Sequence, residues 1–229
     1  MKSFLLPIIV LSAFTVAHAK IELPHILGDN MVIQQNSDFK LWGKAKPDTK
    51  VTVKTSWSKE KTETRSDSDG NWSVSVPTPA ASYESQSITI SDGDPLTLSN
   101  ILTGDVWICS GQSNMEMPLE RSRDGAQAIQ DSGNPRLHFC TVPKTAWDPP
   151  EELSWHMVEP GTAGSLSAVA YYAGRTLTEH LEGVHVGVIV CCWGATYAHC
   201  WTSRSALERF PEGRARIGRY EDRIAGKYL

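Results

Sequence analysis

Gly104-Asp105-Val106-Trp107-Ile108-Cys109-Ser110-Gly111 is an almost uninterrupted apolar run held between glycines. Val186-Gly187-Val188-Ile189-Val190-Cys191-Cys192, ending shortly before Gly194, is a second. Runs of this length without polar alternation read as strands buried on both faces. Between them, Ser165 to Leu181 carries Leu166, Val169, Ala170, Ala173 and Leu177 on one helical stripe, and Gly183 supplies a stop. Strand, helix and strand in succession predict a βαβ unit and a parallel sheet, so the expected fold class is α/β.

Upstream of this unit the texture differs. From Lys20 to about Asn100 short alternating runs occur at Val51 and Val53, at Trp72, Val74 and Val76, and at Ile88 and Ile90. Lys46-Pro47-Asp48, Asp69-Gly70-Asn71 and Asp92-Gly93-Asp94 separate them with turn chemistry. Short strands with such turns predict a small β-sandwich over residues 20–100, with Asp69-Gly70-Asn71 as a hairpin turn. Asp67 to Asn71 lacks the ligand spacing and terminal Glu of a calcium loop. Asn71-Trp72-Ser73 is a formal glycosylation sequon. Pro118 to Gly164, rich in Pro, Gly and Trp, reads as irregular. The tail from Trp201 holds seven Arg or Lys against four acids and reads as a solvated helical face.

The first 19 residues read as a targeting signal. Lys2 precedes an apolar stretch from Phe4 to Val16, too short to span a bilayer, and Ala17-His18-Ala19 gives a small-x-small cleavage pattern. Cleavage before Lys20 predicts an exported protein, secreted or periplasmic, or lysosomal in a eukaryote, without a membrane span. The chain carries 26 acidic and 22 basic residues, and this balance argues against nucleic acid as a partner. Five cysteines (Cys109, Cys140, Cys191, Cys192, Cys200) leave at least one thiol unpaired in a monomer. Cys109, Cys191 and Cys192 read as small buried hydrophobes, and no ligand spacing suggests zinc.

Ser113 lies in Ser110-Gly111-Gln112-Ser113-Asn114-Met115, just past the C-terminal end of the first buried strand. In an open α/β sheet that edge is where ligands bind. A serine hydroxyl needs a base to become nucleophilic and fixed donors for the oxyanion it creates. Gly111 lets the backbone approach closely there, and Met115 excludes the Gly-x-Ser-x-Gly elbow.

The run Gly104 to Glu116 closely resembles the nucleophile block of sialate O-acetylesterases, within the SGNH hydrolases. Asp29 to Gln35 and Leu41-Trp42-Gly43 are similar to that family's opening, and Asp69-Gly70-Asn71-Trp72 to its β-module hairpin. Ser167 to Arg175 resembles its first crossover helix, and Val186 to Ile189 with Trp193-Gly194-Ala195-Thr196 its second block. The resemblance implies an SGNH-type hydrolase domain over residues 101–229, preceded by the β-sandwich module. It implies Ser113 as nucleophile and the backbone amides of Ser113 and Gly194 as oxyanion donors, with no cofactor and no metal.

Asn114, Ala195 and His199 are further site candidates. Ala195 stands where the family usually has a second glycine, and His199 where it has an acid. Ala195 keeps its N–H for an oxyanion unless its position needs a positive φ. The family's third block, with an oxyanion-stabilising Asn, and its Asp-x-His-type block lie further C-terminal than Leu229. The expectation is therefore a partial, C-terminally truncated hydrolase domain with a nucleophile and half an oxyanion hole. Glu182-Gly183-Val184-His185 precedes the second strand, at the end opposite the nucleophile, and reads as a surface turn. The expected activity is removal of O-acetyl groups from sialic acids or related acetylated sugars. The alternatives are an acetyl esterase acting on plant polysaccharide and a truncated, non-catalytic carbohydrate-binding relative.

Overall fold

The computed structural model describes residues 20–144 and 153–225; the targeting signal lies outside the described residues. The strands are β1 (Val32–Gln34), β2 (Asp38–Lys44), β3 (Lys50–Thr55), β4 (Lys61–Arg65), β5 (Asn71–Pro77), β6 (Gln86–Ser91), β7 (Pro95–Gly111), β8 (Asn134–Thr141), β9 (His156–Val158) and β10 (His185–Cys192). Helices are α1 (Ser113–Glu116), α2 (Gly125–Gln130), α3 (Ala168–His180), α4 (Arg204–Leu207) and α5 (Pro211–Ile224).

The two apolar runs pair in parallel as expected, with Val186 opposite Asp105 and Cys192 opposite Gly111. On the far side of β10 lies β8, also parallel, with Val188 opposite Phe139. That strand falls in the stretch read as irregular, because Asn134, Pro135, Arg136 and His138 break its apolar pattern. Its burial is nonetheless deep: Leu137, Phe139 and Cys140 are all core.

The boundary expected near Asn100 falls inside a strand. β7 pairs antiparallel with β6 through Pro95 to Ile101, then parallel with β1 and β10. Asn100 sits at φ 54°, beside the register shift against β6, and there the strand bends from one sheet regime into the other. Its amide donates to Asn30 Oδ1 at 2.8 Å, and its Oδ1 accepts from Ser85 Oγ at 3.0 Å.

The core is continuous across this bend. Leu41, Trp72 and Val76 from the β2–β5 ribbon, and Val51, Val53, Ile88 and Ile90 from the antiparallel strands, join Ile33, Ile101, Cys140 and Trp155 in one cluster. The 67–71 turn is not a hairpin. It carries the chain from β4, paired with β3, to β5, paired with β2. Gly70 takes φ 81° there, and a side chain on it would strike the Ala45 carbonyl oxygen at 2.5 Å.

A second cluster fills the opposite face of the parallel strands, where Val186, Val188 and Val190 meet Leu166, Ala170 and Tyr171. The helix buries Ala170, Tyr171, Gly174 and Thr178, whereas Val169 and Ala173 of the predicted stripe face solvent. Gly174 sets this rotation, since any Cβ there would lie 2.6 Å from Leu137 Cδ1. Ser167 caps α3, accepting the Ala170 amide at 3.2 Å. No described helix is long and apolar enough to cross a membrane.

Candidate active site

The two parallel strands leave the sheet at the same edge, and the loops that follow them build one site. Trp193 N–H donates to the Gly111 carbonyl at 3.0 Å, extending the pairing one step past β10. Gln112 Nε2 then donates to the Thr196 carbonyl at 3.1 Å. Gly111 adopts φ 153°, and a methyl group on it would meet Met115 Cβ at 3.3 Å. Its lack of a side chain lets the strand turn directly into α1. A third brace comes from α3, where Ser167 Oγ reaches Met115 Sδ at 3.5 Å and Ala168 N–H donates to the Met117 carbonyl at 2.9 Å.

Ser113 is the first residue of α1, exposed at the C-terminal end of β7. Amides at the start of a helix have no partner within it, which leaves the Ser113 N–H available to an oxyanion. Its hydroxyl makes no hydrogen bond with any described residue. Asn114 is exposed beside it and likewise makes none. Gly194 lies close: a Cβ built on it would stand 3.7 Å from Ser113 Cα.

The Gly194 amide, expected as an oxyanion donor, is directed instead to Glu116 Oε2. The other oxygen, Oε1, forms an ion pair with Lys144. Lys144 above all, and then the Gly194 amide, hold the Glu116 carboxyl below the usual carboxylate range. Sequence reading missed this carboxylate–lysine pair. Glu116 was visible only as the end of the nucleophile block, and nothing local connects it to a lysine 28 residues away. Ala195 sits at φ 62°, in the left-handed region that glycine favours. The departure from glycine therefore carries backbone strain at this site.

His199 occupies a 3₁₀ turn, Ala198–Trp201. Its ring stacks on Tyr197 at 5.5 Å, and its Nε2 lies 3.4 Å from Arg216 Nη1. It makes no bond to Ser113. It is nevertheless tied to the loop that carries Ser113, because Trp201 Nε1 donates to Thr196 Oγ1 at 2.8 Å and Thr196 holds Gln112.

At the opposite end of β10, Gly183 makes the expected turn, at φ 73°. His185, expected on the surface, is instead 5% exposed and pairs with Gly104 at the far end of the strand from Ser113. Burial, with help from His138 and Arg136, lowers its pKa below the ordinary imidazole value. The five cysteines form no disulfide in the structure. Cys140 alone is fully buried, with its thiol pushed up to about 12 by desolvation. Cys109, Cys191 and Cys192 are only partly covered.

No protein-family model matches the chain. Sialate O-acetylesterase from Mus musculus is 30% identical over 125 residues, covering 49% of this chain and 23% of that protein. The Homo sapiens sialate O-acetylesterase is 29% identical over 125 residues, with 49% and 24% covered. Among solved structures, a novel carbohydrate acetylesterase from Xanthomonas citri superposes with a TM-score of 0.75 at 28% identity. That match covers 82% of this chain and 44% of the other. The chain thus spans about a quarter of the curated relatives it matches and under half of the solved one. These similarities bear out the family resemblance carried by the sequence blocks.

Proposed function

We propose that this relative of the sialate O-acetylesterases acts in hydrolysis of acetyl esters on sugars, with Ser113 as the nucleophile. Ser113 Oγ attacks the acetyl carbonyl, the alcohol of the sugar leaves, and water then releases acetate from the acetyl-enzyme. The placement of Ser113 carries the reading: an exposed hydroxyl at the first position of α1, where β7 ends beside Gly194. The Ser113 amide serves the oxyanion directly. The Gly194 amide serves it once Glu116 yields the hydrogen bond it now accepts. Sialic acids are the preferred sugar class in this reading, and export by the N-terminal signal puts the reaction outside the cytoplasm.

The test is acetate release from O-acetylated sialic acid, from acetylated xylan and from an activated acetyl ester, by the wild-type chain and by Ser113→Ala. Release that disappears in the variant supports the assignment, and the ratio of the two sugars identifies the substrate. Release that persists unchanged in Ser113→Ala removes Ser113 from the mechanism. A folded wild-type chain that binds sugar yet releases no acetate from any ester supports the carbohydrate-binding alternative.

A further inference from the structure

A cavity of about 950 Å³ opens between the 198–201 turn and α5, away from the loops that carry Ser113 and Gly194. His199 and Cys200 form one wall, and Arg216, Arg219 and Arg223 come from the helix. The three arginines recur at i, i+3 and i+7, so they share one face of α5. Arg204, also at the cavity, is neutralised by Glu208 at 2.8 Å and Glu221 at 2.7 Å. The other three form no ion pair with a carboxylate among the described residues, and Arg216 Nη1 lies 3.4 Å from His199 Nε2.

Three like charges on one helical face repel one another, and none of them forms an ion pair with a described carboxylate. Each guanidinium is a planar fork of N–H donors suited to the two oxygens of a carboxylate or phosphate. Leu207 and Ile217 add apolar lining to the same cavity, as a sugar-sized ligand with an apolar ring face requires. The turn bearing His199 is fastened to the nucleophile loop through Trp201, Thr196 and Gln112. A ligand in the cavity is therefore mechanically linked to the residue preceding Ser113.

We infer that Arg216, Arg219 and Arg223 form a subsite for the oxyanion group, carboxylate or phosphate, of a sugar ligand. The inference rests on the acetyl-ester reading for its choice of a sugar, but the arginine site stands or falls by binding alone. The experiment uses the full chain carrying Ser113→Ala, so that turnover does not interfere. N-acetylneuraminate, the neutral N-acetylmannosamine, glucose 6-phosphate and inorganic phosphate are titrated in turn, at low and at raised salt.

The expected result is binding of the carboxylated or phosphorylated sugar but not of the neutral one, weakening as salt rises. Arg219→Gln/Arg223→Gln should weaken it by roughly tenfold or more, the loss typical of charge-assisted hydrogen bonds. Arg219→Lys/Arg223→Lys, which keeps the charge without the fork, should fall between the two. Unchanged affinity in the Gln double variant, salt-independent binding, or no binding of any anion overturns the site. Inorganic phosphate binding as tightly as either sugar overturns the assignment of a sugar ligand. Anion binding that behaves as expected while the wild-type chain releases no acetate would fault the esterase reading and leave the subsite standing.

Discussion

The Gly194 amide donates to the Glu116 carboxylate, and so the two loops that frame Ser113 are joined by one side chain. Lys144 takes the second oxygen of that carboxylate and completes a three-membered bridge across the sheet edge. A side chain at position 194 would push the carboxylate aside, because its Cβ would lie 2.9 Å from Glu116 Oε2. The bridge fixes where the amide points, and it depends on ionisation.

Glu116 has a depressed pKa in the folded chain, so its contribution is present above the ordinary carboxylate value and lost as pH falls through the folded value. The Gly194 amide resonance should therefore shift in an acid titration with a midpoint below the ordinary Glu value of about 4.3. Glu116→Gln retains an acceptor oxygen but no charge, and should abolish that titration. A midpoint at or above the ordinary value, or one that survives in Glu116→Gln, would mean that the carboxylate does not hold this loop.

Ala195 pays a steric cost at φ 62° that glycine would not. Ala195→Gly should raise the unfolding free energy by up to about 1 kcal/mol, the relief of strain being partly offset by the freer unfolded chain. Ala195→Val should lower it by more than about 1 kcal/mol, since a β-branched residue tolerates the left-handed region still less. Urea denaturation of the three proteins decides the matter. Destabilisation by glycine would show that the strain is absent in solution.

Much of this site was legible because its main features are local. Ser113 follows a strand end, and β7 and β10 declare themselves by apolar runs, so the edge that carries Ser113 follows from sequence. What was not legible depends on distant partners. β8 hides behind Pro135, Arg136 and His138, and its histidine is accommodated by a hydrogen bond to the Asn30 carbonyl at 2.9 Å, over a hundred residues away. The Glu116–Lys144–Gly194 bridge has no period or spacing to reveal it. The run at Trp107 and Ile108 was read as buried on both faces, yet burial requires neighbours that an apolar pattern alone does not guarantee.

Asn100 tests the bend that joins the two sheet regimes. Its positive φ and its bonds to Asn30 and Ser85 both favour asparagine. Asn100→Gly keeps the backbone conformation and loses the hydrogen bonds, at an expected cost of about 1 kcal/mol. Asn100→Val loses both, and should cost about 2 kcal/mol or more. Equal costs in equilibrium unfolding would show that the bonds, and not the backbone, hold the bend.

Beyond its pairing with β1, one side of β7 has no strand partner among the described residues. Val106 N–H turns away from β10 and is met by Gln34 Oε1 at 2.9 Å. Backbone groups alternate along a strand, so the amides of Ile108 and Ser110 face that same side, where no described strand pairs with them. Trp107 is 49% exposed and Ile108 72% exposed along this stretch. Unpaired amides flanked by large apolar side chains form a template for further strand pairing. The 229-residue chain should therefore self-associate as its concentration rises, through this edge. Ile108→Lys places a charge on the exposed position and should shift the association to severalfold higher concentration while leaving the melting curve of the monomer nearly unchanged. Light scattering across a dilution series measures this directly. Association that Ile108→Lys leaves untouched would place the contact elsewhere, and the exposed aromatics of the 197–210 segment would be the next surface to charge.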